Sequence, residues 1–202
     1  MPLRNRVTPF GEIVATSARG TLMGNRGVLH DAQRQIVRDW QVRRWIACRL
    51  DFRGRQREVM PPGRYTALFF LDEATAFAAG HRPCAECRHA DYLRFRSAWR
   101  ARAEASIDQI DRQLHAERRV GPWRPRTHLA DLAALPSGAF IVRDDAAWLV
   151  LDDALLRWSP AGYTQRAPRA DIQVRLLTPP SIVELFRNGY TPAIHPSAGH
   201  LT

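Results

Sequence analysis

Apolar positions in this chain fall into short groups, and their spacing predicts a series of modest elements. Over residues 1–47 the apolar runs are brief and broken by Gly20, Gly24 and Gly27. Within 31–45, Ile36, Val37 and Trp40 form a stripe flanked by arginines, which predicts a helix. Residues 49–59 alternate around Gly54, with Leu50 and Phe52 on the apolar side, as a hairpin would. Residues 65–71 end in Phe69-Phe70-Leu71 and predict a buried strand. Asp72 then opens a short alanine-rich helix that Gly80 stops.

Beyond Cys87 the pattern changes. Tyr92, Phe95, Trp99, Ala103, Ile107, Ile110 and Leu114 recur at helical spacing, predicting one long amphipathic helix with Arg94, Arg102, Arg112 and Arg118 on its other face. Gly121-Pro122-Trp123-Arg124-Pro125 cannot continue it and marks a boundary. After the boundary, residues 139–142 and 148–151 flank Arg143-Asp144-Asp145 as a hairpin, and 172–177 predict a further strand. Residues 181–187 predict a short helix in which Ser181 and Glu184 match a capping box and Gly189 is the stop. The expected class is α+β: an N-terminal unit over 1–120 carrying the long helix, and a β-rich part over 126–202.

Composition narrows the functional classes. The chain has 202 residues and a net charge of +10, and all 30 of its basic residues are arginine. Guanidinium groups bind phosphate bidentately and stack on bases, so DNA or RNA is the expected partner; GC-rich coding would produce the same bias without any such selection. No run approaches the ~18 apolar residues of a membrane span, and the start lacks an apolar leader. Three cysteines, two of them closely spaced, do not suit a secreted disulfide scaffold, so the expected location is the cytoplasm. Oligomeric state is not legible. Neither are a hydrolase triad, a phosphate-binding loop or a metalloprotease helix: Gly24-Asn25-Arg26-Gly27 is too short for the second and lacks lysine.

The chemistry concentrates in Gly80-His81-Arg82-Pro83-Cys84-Ala85-Glu86-Cys87-Arg88. Two thiols three residues apart on a Gly/Pro-fixed turn can face one ion, as in many zinc half-sites. The only other thiol is Cys48, so a fourth ligand must come from elsewhere. His81, His89 and Asp51 lie close enough in sequence to compete for that place. Redox chemistry of the thioredoxin kind would need this motif at the start of a helix after a strand, whereas here it follows a helix.

The stretch 69–88, FFLDEATAFAAGHRPCAECR, resembles the metal-binding domain of the bacterial Ada DNA-repair protein and its small zinc-binding relatives. The resemblance implies zinc held by Cys84 and Cys87 plus an upstream pair. Gly24-Asn25-Arg26-Gly27-Val28-Leu29-His30 is similar to the upstream hairpin and its histidine, but position 34 is arginine where relatives have cysteine. The implied set is therefore Cys48, Cys84, Cys87 and His30.

Three functions are consistent with these features. The leading one is a structural zinc protein associated with nucleic acid through Arg49, Arg53, Arg55, Arg57 and Arg94, with no catalytic residue. The resemblance also implies an alternative, an enzyme that transfers an alkyl group to a zinc-bound Cys48 thiolate. The third is an interaction module anchored by Trp45, Trp123 and Trp148.

Overall fold

The computed structural model of the chain describes residues 1–54, 58–100, 104–121 and 124–201. It is mostly β, which overturns the expected α+β arrangement around a long helix. The first sheet contains β1 (Arg4–Val7), β2 (Ile13–Ala15), β3 (Leu22–Asn25), β4 (Ile46–Arg49), β5 (Leu68–Phe70) and β6 (Arg82–Pro83), in the order β2-β1-β5-β3-β4-β6. β7 (Arg119–Gly121) and β8 (Arg124–Pro125) form a short ribbon. The second sheet is antiparallel throughout. It contains β9 (His128–Asp131), β10 (Phe140–Arg143), β11 (Ala146–Val150), β12 (Ala154–Ser159), β13 (Gly162–Pro168) and β14 (Gln173–Leu176), in the order β13-β12-β11-β10-β14-β9.

The helices are short: α1 (Glu73–Ala78), α2 (His89–Arg100), α3 (Ile107–Arg118) and α4 (Pro180–Arg187). The stripe read as one long helix is thus two. Its second half has its own start signal, because the Ser106 hydroxyl accepts from the Gln109 amide at 3.3 Å while the Gln109 side chain accepts from the Ser106 amide at 2.7 Å. Residue periodicity persists across the break because both halves bury their stripes in one cluster: Phe95 and Trp99 from α2, Ile110 and Leu114 from α3, Ile182 and Phe186 from α4.

The helix expected over 31–45 does not form. The Val37 and Arg38 amides donate to the Leu29 carbonyl, and those of Gln41 and Val42 to the Arg26 carbonyl, so the donors leave the segment instead of closing helical turns. Arg34 also sits at φ +60°, outside helical geometry. Among the described residues of 50–59 there is no strand; Arg53 and Gly54 turn at φ +56° and +63°.

Other expectations stand. Phe69-Phe70 lies in β5, and Asp72 caps α1 by accepting from the Thr75 amide at 2.8 Å. The hairpin of β10 and β11 turns at Asp144 and Asp145, both left-handed. Ser181 does not cap α4: Pro179 takes that position, and the Ser181 hydroxyl donates to Glu117 at 2.5 Å. The segments 1–120 and 126–202 share their interior. Leu71, Ala74 and Ala78 pack in one buried cluster with Phe140, Leu149, Leu156 and Tyr163.

Candidate metal centre

Cys48 belongs to β4, where it pairs with Met23 of β3. β6 runs parallel to β4, matching Ile46 with Arg82 and Ala47 with Pro83, so the chain leaves the sheet beside Cys48. The Cys84 amide extends the pairing to the Ala47 carbonyl at 3.0 Å. A turn then brings Cys87 back, and its sulfur accepts from the Arg49 amide at 3.4 Å.

Two features place this turn. Gly80, at φ +79°, lets the chain double back after α1, and the His81 amide returns to the Ala76 carbonyl at 2.9 Å. Arg88 anchors the far side: it is buried and paired with Glu73 at the start of α1 and with Asp91 in α2. The thiols are therefore held from two helices and a sheet.

The sulfurs of Cys48, Cys84 and Cys87 all lie within 4.8 Å of one another, and the three residues are 4%, 8% and 4% exposed. Sulfurs bound at ~2.3 Å around a tetrahedral ion stand ~3.8 Å apart, so the trio fits one ion with little movement. Met23, Ala67 and partly buried Phe52, Tyr65 and Phe69 enclose it. The apolar wall sharpens the thiol chemistry. The hydrogen bond from Cys48 pulls the Cys84 thiol down to about 5 against the upward push of burial. The same bond to Cys84, with burial, holds Cys48 protonated, and burial raises Cys87. Metal ligation requires the thiolate form, so loading an ion onto these three cysteines would release protons.

His30 is not brought to the cluster. Its Nδ1 is 2.6 Å from the Thr66 hydroxyl and its Nε2 is 3.2 Å from the Pro61 carbonyl, so both ring nitrogens are engaged away from the sulfurs. Among the described residues no histidine or carboxylate joins the three cysteines. His81 is fully buried, edge-on to Phe70 and tilted against Trp45, and its Nε2 accepts from Arg26. His89 bonds the Ala85 carbonyl through Nδ1, and Asp51 is exposed.

Of the arginines expected to meet nucleic acid, Arg49 and Arg53 are exposed beside the centre, Arg53 lying over the Phe52 ring. Arg94 is exposed but paired with Asp91 at 2.7 Å. Arg55 and Arg57 lie outside the described residues, as does Trp123. Trp45 and Trp148 are buried at 2% and 6%, which removes them as anchors for a partner.

The sequence reading missed a second polar feature, the buried arginines around Trp45. Arg26 and Arg118 place their guanidinium carbons 4.0 and 3.5 Å from its ring centroid. Arginine in a Gly-Asn-Arg-Gly turn or at a helix end gives no sign of burial, so no local signal marks them. No helix among the described residues is long and apolar enough to cross a membrane. Comparison with known protein families, with characterised proteins and with solved structures finds no match to this chain.

Proposed function

We propose that the chain is a zinc-binding protein whose ion ties β4 to the turn between α1 and α2, and that its role for the metal is structural. One observation carries this: three cysteine sulfurs from two distant segments converge in a buried pocket. An all-sulfur donor set is soft and suits zinc among the common divalent ions. The likeness of 69–88 to the Ada-type turn supports the same ion. Nucleic acid is the proposed partner, supported by the +10 charge and by exposed Arg49 and Arg53 beside the centre.

The three-sulfur shell also favours a second reading. Catalytic zinc keeps a fourth position open, and a metal-held thiolate remains nucleophilic. Alkyl transfer would form a sulfur–carbon bond at Cys48 and break the carbon–oxygen bond of a methylated phosphotriester, releasing the phosphodiester anion. Burial of all three sulfurs speaks for the structural role, since a phosphotriester must reach the sulfur in line.

Metal analysis of the purified protein beside Cys48→Ala, Cys84→Ala and His30→Ala tests the centre. One zinc per chain is expected, lost in both cysteine variants and retained in His30→Ala. Metal-free protein with unchanged thermal stability in zinc or chelator would overturn it. Intact mass after exposure to methylated DNA separates the two readings: one methyl on Cys48 establishes transfer, and none leaves the structural role. Retention on DNA that vanishes even at low salt would remove the nucleic-acid partner.

A further inference from the structure

The interior beside Trp45 holds more positive charge than the chain neutralises. Arg26, Arg82, Arg118 and Arg119 meet there. Asp111 gives both carboxylate oxygens to Arg82, at 2.7 and 2.8 Å, and Asp39 pairs with Arg119. Four cations against two carboxylates leave two charges unmatched, on Arg26 and Arg118. Neither has a carboxylate partner among the described residues, and the residues outside the description contain no Asp or Glu.

Carbonyl oxygens supply part of the compensation. Arg26 Nη1 donates to Gly11 at 2.9 Å, and Arg118 donates to the Gly80 carbonyl and, at 2.7 Å, to that of Arg43. Three buried donors still have no partner: Arg26 Nη2, Arg118 Nε and Arg119 Nε. Arg26 is fully buried and Arg118 is 6% exposed, so water does not solvate these groups freely. Burial, with repulsion from Arg119 on Arg26 and from Arg26, Arg119 and Arg82 on Arg118, pushes both guanidiniums below their ordinary range.

Of these three arginines, Arg119 lines an open cleft. A cavity of about 250 Å³ is walled by Arg4, Gly11, Glu12, Asp39, Arg119 and Pro125 among others. A second pocket of only about 10 Å³, room for one water, shares its Phe10, Gly11, Arg119 and Pro125 walls and touches Trp45 and Arg118, with Arg126 at its rim. Gly11 turns at φ +81°, and a Cβ placed on it would stand 3.8 Å from Arg26 Nη2. Its bare face therefore gives onto the unpartnered arginine. Glu12 at the mouth is exposed, so water screens it from a bound anion.

We propose that this cleft binds a phosphate monoester, with Arg119 in its wall as the direct donor and the buried charge of Arg118 and Arg26 behind that wall attracting the anion. A monoester carries about −1.5 to −2 at neutral pH, which matches the unmatched charge better than the single charge of a diester. Its terminal oxygens are the acceptors that the Arg119 guanidinium, with its unpartnered Nε, is suited to meet. A mononucleotide and the 5′ end of a nucleic acid both present this group. The site stands on observations separate from the metal centre and does not depend on it.

The test is calorimetry and thermal melting with inorganic phosphate, against chloride at matched ionic strength. Saturable binding to the intact protein is expected. Arg119→Gln should weaken it about tenfold, the scale of one charge-assisted hydrogen bond. Arg126→Gln, an exposed rim change that leaves the fold intact, should weaken it less. Asp39→Asn should tighten binding by freeing Arg119, an opposite effect that a folding defect would not produce. A mononucleotide and an oligonucleotide with and without 5′ phosphate then identify the source: the phosphorylated forms should bind and the hydroxyl-ended oligonucleotide should not. A response no larger than that of chloride, equal affinity in Arg119→Gln, or equal binding of both oligonucleotides would overturn the assignment.

Discussion

The Tyr163 hydroxyl donates to Asp72 Oδ2 at 2.7 Å, joining β13 of the second sheet to the cap of α1 beside the first. The same carboxylate accepts from the His195 amide at 3.0 Å and, through Oδ1, from Thr75. Asp72 thus links helix cap, second sheet and C-terminal segment in a buried site. Burial, and the nearby Asp72 charge, keep the tyrosine protonated by raising its pKa well above the ordinary value.

Tyr163→Phe removes this link without changing the ring. Asp72 keeps two amide donors, so the expected cost is about 1–3 kcal/mol, the loss of one hydrogen bond to a buried charge. Urea unfolding measures it. A single cooperative transition that moves as a whole is expected, because the segments 1–120 and 126–202 share a core. Two separate transitions would show that they fold independently.

Acid should destabilise the protein through His115. Arg118 donates to its Nδ1 at 3.0 Å, and burial, then the charges of Arg118, Arg43 and Arg119, lowers its pKa from 6.5 to about 4. Between those values the unfolded chain binds a proton that the folded chain refuses. The contribution is complete above pH 6.5 and is lost as pH falls toward 4. Half-exposure screens the effect, which reduces it to about 1–2 kcal/mol. Unfolding midpoints at both ends of that window, for the native chain and His115→Gln, isolate the term. An identical acid loss in the variant would assign it elsewhere.

Ser106→Ala tests the break between α2 and α3. With the reciprocal cap gone, the cost should be about 1 kcal/mol, because Ser106 is exposed and little burial is lost with its hydroxyl. Thermal melting measures the loss. No change would mean that packing of Ile110 and Leu114 alone positions α3.

What the sequence made legible follows from which forces are local. Asp72 as a cap, Gly80 as a stop and the Asp144-Asp145 turn act within a few residues, and all three were readable. The cysteine turn was readable too, because its ligand spacing is local. The segment 31–45 was misread because an apolar stripe says nothing about where backbone donors go; there they go to Leu29 and Arg26. His30 matched a motif, yet Thr66 and Pro61, distant in sequence, hold its ring. The strands β12 and β13 passed unnoticed because neither alternates: β12 buries Ala154, Leu155 and Leu156 in succession, and β13 exposes Thr164, Gln165 and Arg166 in succession.

Gly24→Ala tests whether the sheet builds the metal centre. Gly24 lies in β3 between Ala47 of β4 and Leu68 of β5. A Cβ there would collide with the Ile46 carbonyl oxygen and approach the Phe70 ring to 2.9 Å. The carbonyl is backbone and cannot step aside, so β4 itself must shift, and β4 carries Cys48. Overpacking of this kind costs about 1–3 kcal/mol or more. Zinc content should fall along with stability, since moving Cys48 separates it from Cys84 and Cys87. Gly199→Ala is the control: its Cβ would meet nothing within 4 Å, and its effect should stay within about 0.5 kcal/mol. Melting temperature and bound zinc, measured on both variants, decide the matter. A Gly24→Ala protein that is destabilised but keeps its full zinc would mean that the turn after β6 holds the ion without help from the sheet.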